Sequence, residues 1–243
     1  MAEKAAVNLF REGIAKPAEV QALILCTQTP DYALPGTSSL LHDRLHLSPR
    51  YLAFDFNQGC TGLIYGLFIA GTIIHFGQID NALVIFSEAY SKWCHPMEKS
   101  VTTIFGDGAA AVFLTRSEHG SGIGPFVRGT DKTDFSNVTV PVSGSHLLGR
   151  PTTSYKDTRY NSGNIRTATN LFMNSPELIR FAIDTVPDLV TDLLNKAGVT
   201  MQNIDKFVFH QANKFMLRQL REIIGVAEDK MIYEMEETGN TDG

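Results

Sequence analysis

Residues 56–79 contain no charged side chain, although 21 basic and 26 acidic residues are spread through the 243 positions of the chain. An uncharged stretch of that length either crosses a bilayer or is enclosed by protein. Asn57, Gln58, Thr61, His75 and Gln78 put polar groups into it, and Gly59 and Gly62 break its start. A helix over residues 60–76, buried in a soluble core, is therefore expected rather than a membrane span.

The surroundings of that helix point to an α/β protein. Residues 20–27 (VQALILCT) and 81–87 (NALVIFS) are continuous apolar runs of strand length, and residues 51–57 and 109–114 read in the same way. Helical segments are expected over 2–10 and 38–47, giving buried strands with intervening helices. Residues 117–174 hold glycines, Ser/Thr clusters and a short alternation of Val138, Val140 and Val142, which suggests loops with small strands. Regularity returns over 175–196, with Pro176 and Glu177 in a first helical turn, Gly198 at its end, and Pro187 predicting a kink or a break. A strand at 206–209, a helix at 213–224 ending at Gly225, and a strand at 230–234 complete the reading. The expected organisation is a nucleophile-bearing half over 1–115, a loop-rich connection over 116–174, and a second partial half over 175–243.

The chain also repeats itself. REGIAKPAEVQALILCTQTP resembles NKAGVTMQNIDKFVFHQANK, and LHLSPRYLAFDFNQGCTG continues the likeness with IIGVAEDKMIYEMEETGNT. Such a repeat implies two similarly folded halves about a pseudo-twofold relation. It sets the Cys60 turn opposite the Asn240 turn, and the Gln28 region opposite the His210 region.

Cys60 lies in NQGCTG, between an expected strand and the long helix. A cysteine at a helix mouth faces the positive end of the dipole, which favours the thiolate and makes a nucleophile. Gly59 and Gly62 permit a sharp turn and close approach of a substrate; an inert buried cysteine is the plain alternative. His210 ends KFVFH, where an imidazole can donate to, or take a proton from, a reacting carbonyl. Asn213 opens the next helix and reads equally as a cap. Asn240, in TGNT, is either a turn residue or a neutral amide suited to a developing enolate oxygen.

Other chemistries find little support. The net charge of -5 gives no general attraction to nucleic acid or anionic lipid. Three cysteines without a CxxC favour a reducing compartment, with the cytoplasm as default, and the N-terminal residues do not read as a signal peptide. FGDG at 105–108 reads as a glycine-rich turn and not as a phosphate loop. Cys94 and His95 are adjacent but lack a further ligand cluster, and His42, His46, His75, His119 and His146 have no distinctive spacing, so no metal is expected.

Taken together, NQGCTG, IFGDGAAA, HQAN and TGNT, with TQTPDY before Cys60 and FMNSPELIRFAI before the long C-terminal helix, resemble the beta-ketoacyl-acyl-carrier-protein synthase III family of the thiolase superfamily. The resemblance implies a thiolase-like layered αβαβα fold, incomplete relative to the family, and a homodimer. It implies that Cys60 takes an acyl group from an acyl-coenzyme A, with no cofactor beyond that substrate and a phosphopantetheine-linked malonyl group. It further implies that His210 and Asn240 promote decarboxylation of malonyl-acyl-carrier protein, whose carbanion attacks the acyl-Cys60 thioester to give a 3-oxoacyl product. Gly59 and Asn213 would support the site, and Lys214, Arg218 and Arg221 would receive the acidic carrier protein, although these three read equally as a solvated helical face.

Against the family pattern, roughly 80 residues of the usual N-terminal half do not precede this sequence, and the family continues GNT with a small-residue segment and a further strand and helix hairpin, whereas this sequence stops at Asn240-Thr241-Asp242-Gly243. Asp242 stands where a small or apolar residue is expected. Two alternatives stay open: a ketosynthase-like subunit that is non-catalytic or depends on a partner, and a Cys-dependent acyltransferase without condensation.

Overall fold

The computed structural model describes residues 1–117, 122–131, 135–147 and 152–242. His119 and Gly243 lie outside the described residues. The chain divides into two compact units: Met1–Ala89, Asp107–Gly124 and Thr241–Gly243 form the first, and Tyr90–Gly106 and Pro125–Asn240 the second.

The first unit is a three-layer α/β/α body. Its elements are α1 (Ala2–Arg11), β1 (Ala22–Cys26), α2 (Thr37–Arg44), β2 (Leu52–Phe56), α3 (Gly62–His75), β3 (Asn81–Glu88) and β4 (Gly108–Thr115). The sheet runs β2-β1-β3-β4. The first three strands are parallel, and β4 closes the edge antiparallel to β3, from Asn81 opposite Thr115 to Glu88 opposite Gly108. Side chains alternate along a strand, and both faces of β1 and β3 are covered, so β1 and the middle of β3, from Ala82 to Phe86, are apolar. Leu23, Leu25, Leu83 and Ile85 pack with Ala6 and Leu9 of α1 and Leu41 of α2. Ala22, Ile24, Ala82 and Val84 point the other way, onto Ala70 and Ile74 of α3.

The uncharged stretch is thus a helix buried along one side rather than all round, with Ile64 exposed, and shorter than expected at 14 residues. Gly62, Gly66, Ala70 and Ile74, four residues apart, line its buried side. Small residues let α3 lie close to the sheet: a Cβ on Gly66 would come within 2.8 Å of Val84 Cγ1. Among the described residues, no helix is long and apolar enough to cross a membrane.

The second unit contains α4 (Lys99–Thr102), the antiparallel pair β5 (Val138–Thr139) and β8 (Phe172–Met173), the pair β6 (Thr158–Arg159) and β7 (Ile165–Arg166), and the helices α5 (Ser175–Ala197) and α6 (Lys214–Ile224). A buried ion pair ties its irregular part together. Glu98, with no exposed surface, accepts from Arg166 Nη1 at 2.8 Å, and the guanidinium stacks on Tyr160 and Phe172. Enclosed charges of this kind are tolerated when they are paired and hydrogen-bonded.

Two expectations are corrected here. Of the kink or break expected at Pro187, the break is overturned: α5 continues for 23 residues and packs against α6. Loss of one N–H donor is tolerated when tertiary packing holds the helix on either side. Residues 206–209 and 230–234 do not form a ladder; they meet at one parallel bridge between Phe207 and Met231. Phe207 N donates to Lys230 O at 2.8 Å and Ile232 N donates to Phe207 O at 3.1 Å. Two short parallel strands with no third strand beside them gain too little to extend.

The repeat nevertheless has a structural counterpart. In both copies a helix ends at a left-handed glycine region, and a short 3₁₀ turn then leads into the strand segment. In the turn at Pro17–Glu19, Lys16 N donates to Glu19 Oε2 at 3.2 Å; in the turn at Met201–Asn203, Thr200 N donates to Asn203 Oδ1 at 2.9 Å.

Candidate active site

The loops after β1, β2 and β3 leave the same end of the parallel sheet in the first unit, the end where open α/β sheets place ligands. Thr27–Thr29 follows β1, residues 57–61 follow β2, and Glu88 closes β3. Glu88 pins the first of these loops: it accepts from Gln28 N at 2.6 Å and from Thr29 Oγ1 at 2.8 Å. Burial pushes its carboxyl up to about 7 against those hydrogen bonds, and the charge of Asp242 adds to the rise.

Cys60 occupies a turn just ahead of α3, with Thr61 at the helix cap and Gly62 N donating to Gly59 O at 2.6 Å. Close approach requires glycine at position 62, while at Gly59 the crowding is with the end of a flexible side chain. A Cβ at Gly62 would lie 2.3 Å from Cys26 Sγ and 2.8 Å from Phe86, and one at Gly59 would lie 2.9 Å from Gln28 Oε1. Below the turn, the buried Cys26 thiol donates to Gln58 O at 3.0 Å and is pushed up to about 12, chiefly by burial.

Cys60 has an exposed surface, and its thiol donates to Asp242 Oδ1 at 3.2 Å. The expected lowering of its pKa is reversed. Dense surrounding protein, the charge of Asp242, the hydrogen bond to that carboxylate and the charge of Glu88 all raise it, outweighing the backbone N–H of Cys60 itself. A helix terminus carries about half a unit charge, whereas a carboxylate in contact carries a whole one. Asp242 is itself 2% exposed and adopts φ 72, in the left-handed region unusual for a residue with a side chain.

The second unit holds the other candidates. His210 follows the Phe207 bridge, half-buried, and burial drives its imidazole down to about 4. It is therefore neutral at pH 7, a donor or acceptor rather than a charge. Asn240 is 5% exposed, and its backbone is stitched to the FGDG turn: Asn240 N donates to Ile104 O at 2.8 Å, and Gly106 N donates to Asn240 O at 2.9 Å. The glycines of FGDG make room for this passage. A Cβ on Gly106 would sit 1.9 Å from Thr238 O, and, within the first unit, one on Gly108 would sit 2.7 Å from Thr241 Cγ2. In the sequence FGDG reads as a generic glycine-rich turn, and it carries weight only as part of IFGDGAAA in the family likeness.

Asn213 caps α6, its Oδ1 accepting from Met216 N at 2.8 Å. Lys214 pairs with Glu236, and Arg218 is exposed one turn further on. Arg221 is drawn into the structure instead, pairing with Glu228 at 3.1 Å and Glu222 at 3.8 Å. Among the described residues there is no group of three or more His, Cys, Asp or Glu arranged to hold a metal ion.

Comparison with known proteins decides what this arrangement belongs to. Models of 3-oxoacyl-[acyl-carrier-protein] synthase III match residues 54–132, and of its C-terminal part residues 194–243. A beta-ketoacyl-[acyl-carrier-protein] synthase III of Caldanaerobacter subterraneus is 30% identical over 99% of this chain and 70% of its own length. The chain belongs to the beta-ketoacyl-[acyl-carrier-protein] synthase III family. A counterpart in Aquifex aeolicus is 32% identical, again over 70% of its length. A crystal structure of a 3-oxoacyl-(acyl-carrier-protein) synthase III superposes with a TM-score of 0.94 at 40% identity, covering 99% of this chain and 71% of that one. The synthase of Burkholderia xenovorans gives 0.84 at 31% identity, over 99% of this chain and 66% of its own. The fold is thus the alternating α/β arrangement of the thiolase superfamily, and the protein is a synthase III-type condensing enzyme.

Proposed function

We propose that this synthase III-family chain joins an acyl group, delivered by an acyl-coenzyme A, to a malonyl group on acyl carrier protein, with loss of carbon dioxide and formation of a 3-oxoacyl product. The observation that carries the proposal is the exposed thiol of Cys60 in a glycine-lined turn at the carboxyl end of a parallel sheet, in a chain whose whole length follows the synthase III fold. In this reading Cys60 attacks the acyl thioester and becomes acylated, releasing coenzyme A. Its own N–H is suited to the oxyanion that forms. His210 and Asn240 act on the second substrate: a neutral imidazole and a carboxamide donate to the malonyl thioester oxygen as the carboxylate leaves. Decarboxylation then needs hydrogen-bond donors and no strong base. Gly59 leaves space beside the nucleophile, and Asn213 fixes the start of the helix that follows His210.

The carrier protein is acidic in this reading, and Lys214 and Arg218 present positive charge around the exposed Phe215 on α6, with Arg221 held back by Glu228. The enzyme works in the cytoplasm as a homodimer. A second reading, dependence on another chain, is favoured by the single bridge at Phe207 and by Val208, which is 74% exposed beside it.

Intact mass spectrometry after incubation with acetyl-, butyryl- and longer acyl-coenzyme A, followed by malonyl-carrier protein, tests the proposal. An adduct on Cys60 that disappears only with the malonyl partner supports condensation. An adduct that persists points to acyl transfer alone, and no adduct from the folded chain points to partner dependence. His210→Ala and Asn240→Ala should spare loading while abolishing condensation.

A further inference from the structure

The sequence places a carboxylate two residues after Asn240, and the fold brings it to the nucleophile. We propose that Asp242 is the proton acceptor for Cys60 in the acyl-loading step. This rests on Cys60 being the acylated residue, and adds to that reading a base drawn from this chain's departure at position 242.

The geometry is specific. The Cys60 thiol donates directly to Asp242 Oδ1 at 3.2 Å, and Gly59 leaves the other oxygen uncrowded, since a Cβ there would lie 3.2 Å from Oδ2. The segment carrying Asp242 is located by Thr241 against Gly108 and enclosed to 2% exposure. The titratable groups acting on the sulfur are acids: Asp242 in contact and Glu88 from β3, with the Cys26 thiol of β1 beneath the same turn. A free thiolate is disfavoured in that surround, so attack has to be coupled to proton removal.

The step balances without any further reagent. A carbon–sulfur bond forms between Cys60 Sγ and the thioester carbonyl carbon as the thiol proton passes to Asp242 Oδ1. The tetrahedral intermediate then collapses, the bond to the coenzyme A sulfur breaks, and that sulfur takes the proton from Asp242. The carboxylate is regenerated for the next turnover.

The test compares two reactions of the same sulfur. In Asp242→Asn, iodoacetamide labelling of Cys60, followed by peptide mass spectrometry across pH, should have its midpoint moved to lower pH. Single-turnover acyl loading should at the same time fall by about 100-fold, the ordinary scale of general-base catalysis. Asp242→Glu should restore part of the loading. The native enzyme should load more slowly in D2O than in H2O, a readout that does not depend on any variant folding. An unmoved labelling profile, or loading that rises together with labelling, would overturn the proposal with the nucleophile reading intact. Failure of the native protein to acylate at Cys60 would overturn both, which keeps the two failures distinct.

Discussion

The two copies of the repeat begin alike and end differently. In each, a helix gives way to a capped 3₁₀ turn, a strand segment, a second helix, and a further segment that pairs in parallel with the first. In the first copy the pairing runs through five residues, from Ala22 opposite Leu52 to Cys26 opposite Phe56, and β3 and β4 extend the sheet. In the second it stops at Phe207 and Met231. Counted from the capped turn, Ile24 and Val208 hold the same position, yet the first has no exposed surface and the second is 74% exposed. Local signals repeat faithfully; a sheet also needs strands on both sides and helices over both faces.

The sharpest way to break that comparison is a matched pair of truncations. Ile24→Ala should cost about 2–5 kcal/mol in urea denaturation, while Val208→Ala should stay within about 0.5 kcal/mol. Equal losses would mean that the second copy is packed as well as the first.

Glycines set the next scale. Gly106→Ala drives a Cβ to 1.9 Å from a backbone carbonyl at Thr238, whereas Gly62→Ala meets the Cys26 side chain at 2.3 Å. Each should lose about 1–3 kcal/mol or more, with Gly106 the worse because a peptide group cannot rotate away as a side chain can.

The pH dependence of stability separates the two units by sign. Glu88 is raised from 4.5 to about 7, so its contribution is complete below pH 4.5 and is lost as pH rises through about 7. His210 is lowered from 6.5 to about 4, so stability is intact above pH 6.5 and declines as pH falls through about 4. Urea midpoints measured from pH 4 to pH 8 should lose the upper limb in Glu88→Gln and the lower limb in His210→Gln. The smallest contrast lies at the helix starts: Asn213→Ala should cost about 1 kcal/mol, and Thr61→Ala, whose side chain makes no cap bond, less than about 0.5 kcal/mol.

Much of the first unit was legible because its strands are continuous apolar runs and its helices end at glycines or loops. β1, β2, β3 and β4 end within a residue or two of where the sequence pattern predicts, and α3 lies inside its predicted span of 60–76. The second unit was less legible. The same pattern rules predict strands at 206–209 and 230–234 and a kink or a break at Pro187; the strands shrink to one bridge and the helix runs on through Pro187, because of what packs beside each segment. Around the candidate site, the turn at Cys60 and the cap at Asn213 were readable from local residue types. The contact between Cys60 and Asp242 was not, since nothing local links positions 182 residues apart.

The amino-acid order by itself determined the α/β class, the repeat, the glycine turn that carries Cys60, and the family likeness, because each depends on neighbours along the chain. Tertiary structure alone decided the sheet order, the reason for the glycines of FGDG, and the protonation of the thiol. Burial of the sulfur first, and then a full negative charge brought into contact by folding, outweigh the partial positive charge that a helix end supplies from nearby in sequence.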